Sequence, residues 1–334
     1  MLTTTVAGRT WNFSHAIGRN SAAGAGFTQP TAVAVAPDGI LYVLSRGQEG
    51  PGGVVADNKR IGKVSMDQEF IRDFARREFI WPAGLAVSGD GELYCSDEYG
   101  HYIAHYSPDG ERLGQWGEPG ADEGQLNGPS GIAFDAEGSL YVVDSLNDRV
   151  QKFTKGGQYL TGWGGPGDGD GQFQRPWGIT VDGKDDVYVA DWGNNRVQKF
   201  SPDGAFQLSF GGSGDEGVAL NHPAGVAVDS EGDVYVTDWG NKLVRIYDSS
   251  GEVLTALTGD AQELSKWGKA VIEANPDGMK AYRRVKDLSP LGKFERPVGI
   301  AVDEQDRIII TDSTRGRLQV YAKEKNFLDA QFNL

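Results

Sequence analysis

One stretch, Arg175 to Phe200 (RPWGITVDGKDDVYVADWGNNRVQKF), recurs with small edits along the chain, and no other feature limits the possible folds as strongly. Inside it, Ile179-Thr180-Val181 is a short β-prone run. Asp182 to Asp185 follows with turn chemistry, because Asp and Gly tolerate left-handed and self-bonded backbone. Val187 to Ala190 is β-branched and aromatic, as strands are. Asp191 to Asn195 turns the chain again, and Arg196 to Phe200 alternates like a half-buried strand. A Ser201–Gly204 turn then leads to a fourth run, Ala205 to Phe210. Each unit is thus four short antiparallel strands with too little apolar face to stand alone.

The opening proline recurs at Pro30, Pro82, Pro129, Pro176, Pro223 and Pro297, and the three steps from 82 to 223 are 47 residues each. Six four-stranded units at a period of roughly 40–50 residues predict an all-β, six-bladed β-propeller using residues 1–334 as one domain. The pattern PxG(I/V)AVD…(L/V)YVxDxxNxRVQxF resembles the NHL repeat over nearly the whole chain. The copies opening at Pro129, Pro176 and Pro223 are close, while the first and sixth have drifted. The resemblance speaks for the fold and leaves the function to be argued from a site.

Ile17 stands 13 residues before Pro30, as Trp116, Trp163 and Phe210 stand before their prolines. Trp11–Gly18 is therefore expected as the outer strand of the last blade, closing the ring with both chain ends and removing a sheet edge. Asn326–Leu334 also reads as a fourth strand, so two segments compete for one position. Two insertions break the repeat. The first, 46–59 (RGQEGPGGVVADNK), lengthens the turn after Ser45. The second, 258–294, separates copies five and six; Leu264, Trp267, Val271 and Ile272 give it a helical face, and Met279, Tyr282 and Val285 suggest a second helix. Strand one descends from the proline, so prolines, turn aspartates and both insertions are expected on one rim, called the upper face.

Composition bounds the partners. With 47 acids against 32 bases the net charge is −15, which argues against nucleic acid and anionic membranes. No apolar run could span a bilayer, the start MLTTTVAGRTWNF lacks a signal-type apolar core, and a cytoplasmic location is expected. The lone cysteine, Cys95, falls at a strand position, so there is no disulfide framework.

Residues repeated from copy to copy build the blade: Asp97, Asp144, Asp191, Asp238 and Asp312, with Ser45 in their place in copy one, are expected to accept backbone N–H groups at the turns. Unrepeated residues around the upper mouth point to a site. Beside the prolines and turn aspartates stand Arg46, Arg175 and Arg296 with Trp81, Trp177, Trp192 and Trp239. Trp267 of the helical insertion is expected to join them from above. Tryptophans can stack a ligand while arginines hold an anionic or polar end; in repeats of this kind they also pack between blades. His222, Glu98 and Tyr99 are the acid–base candidates if the site is catalytic.

The resemblance also names chemistry to look for. Amidating lyases resembling this repeat hold zinc with a histidine directly after the blade-opening proline; here those positions are Thr31, Ala83, Ser130, Trp177, Ala224 and Val298. Lactonases of related architecture hold a divalent ion with channel-facing carboxylates and amides, whereas Val33-Ala34-Val35 and Val226-Ala227-Val228 are aliphatic. His101 and His105 are a weak zinc pair, and Asp168-Gly169-Asp170-Gly171 lacks the further ligands of a calcium loop. No metal or other cofactor is expected. RNA binding, known for some relatives, is disfavoured by the acidic charge. The reading is a module that binds a small polar, aromatic or anionic ligand, or a peptide, at the upper mouth under the insertion. A metal-independent lyase, isomerase or hydrolase at the same mouth is the alternative.

Overall fold

A computed structural model describes residues 3–47, 58–212 and 218–324. The described residues form six sheets in a ring. Blade 4 is typical: Ile179 pairs with Val189, Val187 with Phe200, and Val197 with Phe210, all antiparallel. In blades 1 to 5 the second strands, such as Leu93–Asp97, Leu140–Asp144 and Val187–Asp191, are buried at every residue. Each lies inside its sheet and between neighbouring sheets, so it reads as a continuous run rather than an alternation.

The core is a set of layers between blades. One layer joins Tyr188, Ala190 and Val197 of blade 4 to Val226, Val234 and Val236 of blade 5. A plug that the repeat pattern did not single out belongs to these layers. The residue three before each proline, namely Phe27, Phe79, Leu126, Phe173, Leu220 or Phe294, is no more than 5% exposed.

Around the channel the inner strands touch backbone to backbone. A Cβ on Gly84, Gly131, Gly178, Gly225 or Gly299 would lie 2.3–2.6 Å from a carbonyl oxygen of the next blade. Glycine is required here by approach, not by dihedral angle. At Gly178 the obstacles are Ala224 O at 2.4 Å and Gly225 Cα at 2.8 Å, both main chain. Gly178→Ala is therefore expected to destabilise by about 3 kcal/mol in urea unfolding, since an overpacked backbone cannot rotate away. Gly114→Ala, with nothing near its Cβ, is the control and should change stability by less than about 0.5 kcal/mol.

The sixth sheet settles the competition for the closing strand. Its order runs Thr3–Val6, Arg9–Gly18, Arg317–Glu324, Arg307–Asp312, Pro297–Val302. Ile17 pairs with Leu318 and Trp11 with Lys323, so the N-terminal segment supplies the fourth strand and Thr3–Val6 adds a fifth. Asn326–Leu334 lies outside the described residues. So does most of the first insertion, of which Arg46, Gly47, Asn58 and Lys59 are described.

The second insertion forms α1 (Lys266–Glu273), α2 (Pro276–Arg284) and α3 (Ser289–Gly292). Ser265 caps α1 and also donates to Gly18 O. Asn275 caps α2, accepting from Asp277 N–H and Gly278 N–H in its first turn. The insertion does not lie over the mouth. It leaves the upper rim, runs down the flank of blade 6, and reaches the strand-three to strand-four turn of blade 1, where Lys266 N–H donates to Gln68 Oε1 at 2.7 Å. Arg317 fastens its return, donating to Leu291 O at 2.7 Å and Gly292 O at 3.2 Å.

Candidate functional site: the upper mouth

The rim is made rigid by the repeated residues. Asp191 is fully buried and accepts Gln174 N–H at 2.9 Å from the incoming inter-blade loop. Its other oxygen accepts from Asn194 at 2.9 Å, Arg196 Nε at 2.9 Å and Gln198 at 3.2 Å. Asp144 repeats this with Asn127, Asn147, Arg149 and Gln151. Burial pushes the carboxyls of Asp144, Asp191 and Asp238 up from the ordinary range, and these donors oppose it. The loop carbonyls of Asp168, Gly169 and Gln172 accept from the Arg196 guanidinium at 2.7–2.8 Å. An arginine thus holds the Asp168–Gly171 loop. In blade 1, where Ser45 replaces the aspartate, Ser45 Oγ accepts Thr28 N–H at 3.3 Å.

A second strut links neighbouring blades. The residue before the proline donates its N–H to a side chain at the preceding blade's left-handed turn position. Arg175 N–H meets Asp148 at 2.6 Å, His222 N–H meets Asn195 at 2.8 Å, and Gly128 N–H meets His101 Nδ1 at 3.1 Å. His101 is thereby a blade connector. His105 stacks on Tyr94 at 4.4 Å and pairs with Glu92 at 3.0 Å. Among the described residues no group of three or more His, Cys, Asp or Glu could hold a metal ion. Cys95 is fully buried, and burial pushes its thiol up.

On this frame the mouth is a bowl of about 350 Å³, lined by Gln29, Thr31, Arg46, Trp81, Glu98, Ser145, Leu146, Arg175, Trp177, Trp192, Ala224, Trp239, Arg296, Val298 and Ser313. All three expected arginines and the four rim tryptophans are there. Arg46 Nη2 pairs with Glu98 Oε2 at 2.6 Å, and its guanidinium carbon lies 4.5 Å from the Trp81 ring and 5.4 Å from the Trp177 ring. Arg46 is on blade 1 and Trp177 on blade 4, so this side chain reaches across the ring. On the far side the Arg296 guanidinium sits 5.4 Å from the Trp239 ring, and Trp192 lies 6.5 Å from Trp239. The Arg175 and Arg296 side chains form no ion pair among the described residues and are exposed.

Three expected residues are elsewhere. Trp267 is 8% exposed and packs against Phe27 at 5.9 Å and Phe70 at 6.3 Å in the layer between blades 6 and 1. The face that looked like a lid is the anchor of the insertion. His222 lies behind the wall, 4.1 Å from Trp192 and bonded to Asn221 at 2.6 Å. Tyr99 is 72% exposed and does not line the bowl. Glu98 lines it, but on blade 2, across the ring from His222 on blade 5. Leu146, 47% exposed at the lip, was missed because the equivalent positions hold Gly47, Tyr99, Gly193, Gly240 and Thr314, a mixture that marks no site.

No helix among the described residues is long and apolar enough to cross a membrane. Comparison with the sequences of curated proteins gave no match. Solved structures similar to the chain include a streptogramin B lyase, 13% identical with TM-score 0.59 over 96% of this chain and 100% of that one. A catalytically inactive virginiamycin B lyase from Staphylococcus aureus, solved with quinupristin, is 14% identical with TM-score 0.60, covering 93% and 99%. A structural-genomics protein of unknown function from Bacteroides thetaiotaomicron is 18% identical with TM-score 0.65, covering 95% and 76%. At such identities the likeness is one of fold. The NHL repeat itself matches at residues 126–153, 173–200, 220–247 and 294–321, which are blades 3, 4, 5 and 6. The chain is a six-bladed β-propeller carrying NHL repeats.

Proposed function

We propose that the upper mouth binds a small ligand, or the end of a peptide, that combines an aromatic or apolar ring with an anionic group. One observation carries this reading. Three arginines and one glutamate give the bowl two net positive charges within four tryptophan walls, on a chain whose net charge is −15. Elsewhere such a surface repels anions, so the mouth is where an anion is drawn. Trp192 and Trp239 offer faces for stacking, and Arg175 and Arg296 offer fork-shaped donors suited to a carboxylate or phosphate.

A lyase is the second reading, favoured by the likeness to the streptogramin B and virginiamycin B lyases. The placement of Glu98, His222 and Tyr99 on different sides of the wall speaks for binding without turnover. The test is calorimetric titration with aromatic carboxylates, indole-3-acetate first, followed by recovery of the ligand. Wild type is expected to bind and to return it unchanged. The Arg175→Ala/Arg296→Ala double variant should bind about 100-fold more weakly, the loss of two charge-assisted contacts. Equal affinity in both proteins overturns the proposal, and a chemically altered ligand moves the assignment to an enzyme.

A further inference from the structure

We infer that Trp81, Trp177 and Glu98 form a cation-binding cage for a guanidinium group, and that the chain's own Arg46 fills it in place of a ligand. This rests on the mouth being a ligand site but goes beyond its anion-binding end. Two indole rings and a carboxylate converge on one planar cation. The guanidinium carbon of Arg46 is 4.5 Å from one ring and 5.4 Å from the other, with Nη2 2.6 Å from Glu98. These groups come from blades 1, 2 and 4, so no single repeat builds the cage and no packing need of a blade explains it. The carboxylate is only 23% exposed and the Arg46 side chain 18%. Without Arg46, a half-buried carboxylate and the two rings would be left without the guanidinium, a site complementary to a cation, with Lys59 Nζ 5.3 Å from the Trp81 ring as a second cation beside it.

The occupant that fits is an arginine side chain, free or in a peptide, because a flat guanidinium both stacks and forks onto a carboxylate. A tethered Arg46 competes at a millimolar or higher effective concentration, about what a short link provides. Wild type is therefore self-blocked toward weak cations, and the cage opens to a ligand that also gains contacts elsewhere in the mouth.

The experiment titrates methylguanidinium, L-arginine and N-acetyl-arginine amide into wild type, Arg46→Gln and Arg46→Met, read by tryptophan fluorescence and calorimetry. Melting curves identify a variant that fails to fold, and the other then carries the comparison. Either folded Arg46 variant is expected to bind methylguanidinium at least about tenfold more tightly than wild type, the scale of cation–π contacts in a partly desolvated cage. Adding Glu98→Gln should remove that gain. Tighter binding of L-arginine than of the amide identifies the free amino acid as the preferred source; the reverse identifies a peptide.

No gain in either folded variant overturns the cage, as does a gain that survives Glu98→Gln. Indole-3-acetate titrated in parallel separates the two readings. Its failure to bind wild type sinks the anion site alone, while methylguanidinium binding to Arg46→Gln still supports the cage.

Discussion

Deletion of residues 3–18 is expected to leave a chain that no longer unfolds cooperatively and that elutes as aggregate. The segment holds the fourth strand of blade 6, where Trp11, Ala16 and Ile17 are 1%, 5% and 0% exposed. Full burial of a large apolar side chain contributes about 1.5–3 kcal/mol. The backbone ladder from Thr10–Glu324 to Gly18–Arg317 is lost with it. Trp11 also donates to Tyr235 Oη of blade 5 at 2.8 Å, so the strand joins two sheets. Set against a domain stability of about 5–15 kcal/mol, these losses are most of the total. Size-exclusion chromatography with near-ultraviolet circular dichroism checks the result, and a synthetic 3–18 peptide added in trans should restore the ring. Removing only Thr3–Val6, a strand of exposed and half-buried residues, should cost less than about 1 kcal/mol. A cooperative, monomeric 3–18 deletion would show that another segment closes the sheet.

Asp191→Ala is the second large effect, expected at about 3 kcal/mol in denaturant unfolding. The carboxylate collects a loop N–H, an asparagine, an arginine and a glutamine. Truncation leaves those donors facing an empty buried space, and Arg196 loses its charge partner. Asp191→Asn keeps the acceptor oxygen and the volume, so it should recover about half of the loss. A matching test at the mouth comes from the same variant. The Gln174 N–H bond positions the residue next to Arg175, so loosened loop geometry should weaken aromatic carboxylate binding even though Asp191 is remote from the ligand. An Asp191→Ala protein as stable as wild type would remove the aspartate from its place as organiser of the rim.

How much of this was legible in the chain depends on whether a residue's role is set by its own repeat. The proline steps, the turn aspartates and the 13-residue spacing of Ile17 are properties of one blade read six times; they predicted sheet number and four strands per blade, and named Trp11–Gly18 as one of two candidates for the closing strand. The arginines and rim tryptophans were legible because their positions beside Pro and Asp place them on one edge. Contacts between blades were hidden. Nothing in PAG, PSG or PWG says that each glycine meets the next blade's carbonyl. Nothing in His101 announces that its ring will accept Gly128 N–H. Trp267 was misread because helical periodicity reveals an apolar face without saying what it covers. That face turned to Phe27 and Phe70, which flank it only once the ring has closed.

The sheet that mixes Arg9–Gly18 with Arg317–Glu324 has a consequence for biosynthesis. Five blades can stack in order as they leave the ribosome, each on the one before. Arg9–Gly18 can form its hairpin with Thr3–Val6 at once, but its other edge meets Arg317–Glu324 only when the last blade emerges. Trp11 waits for Tyr235 of blade 5, and Ile17 for Leu318. The nascent chain therefore passes through a long interval as an open arc with one sticky edge, and the third strand of the last blade is what hides that edge.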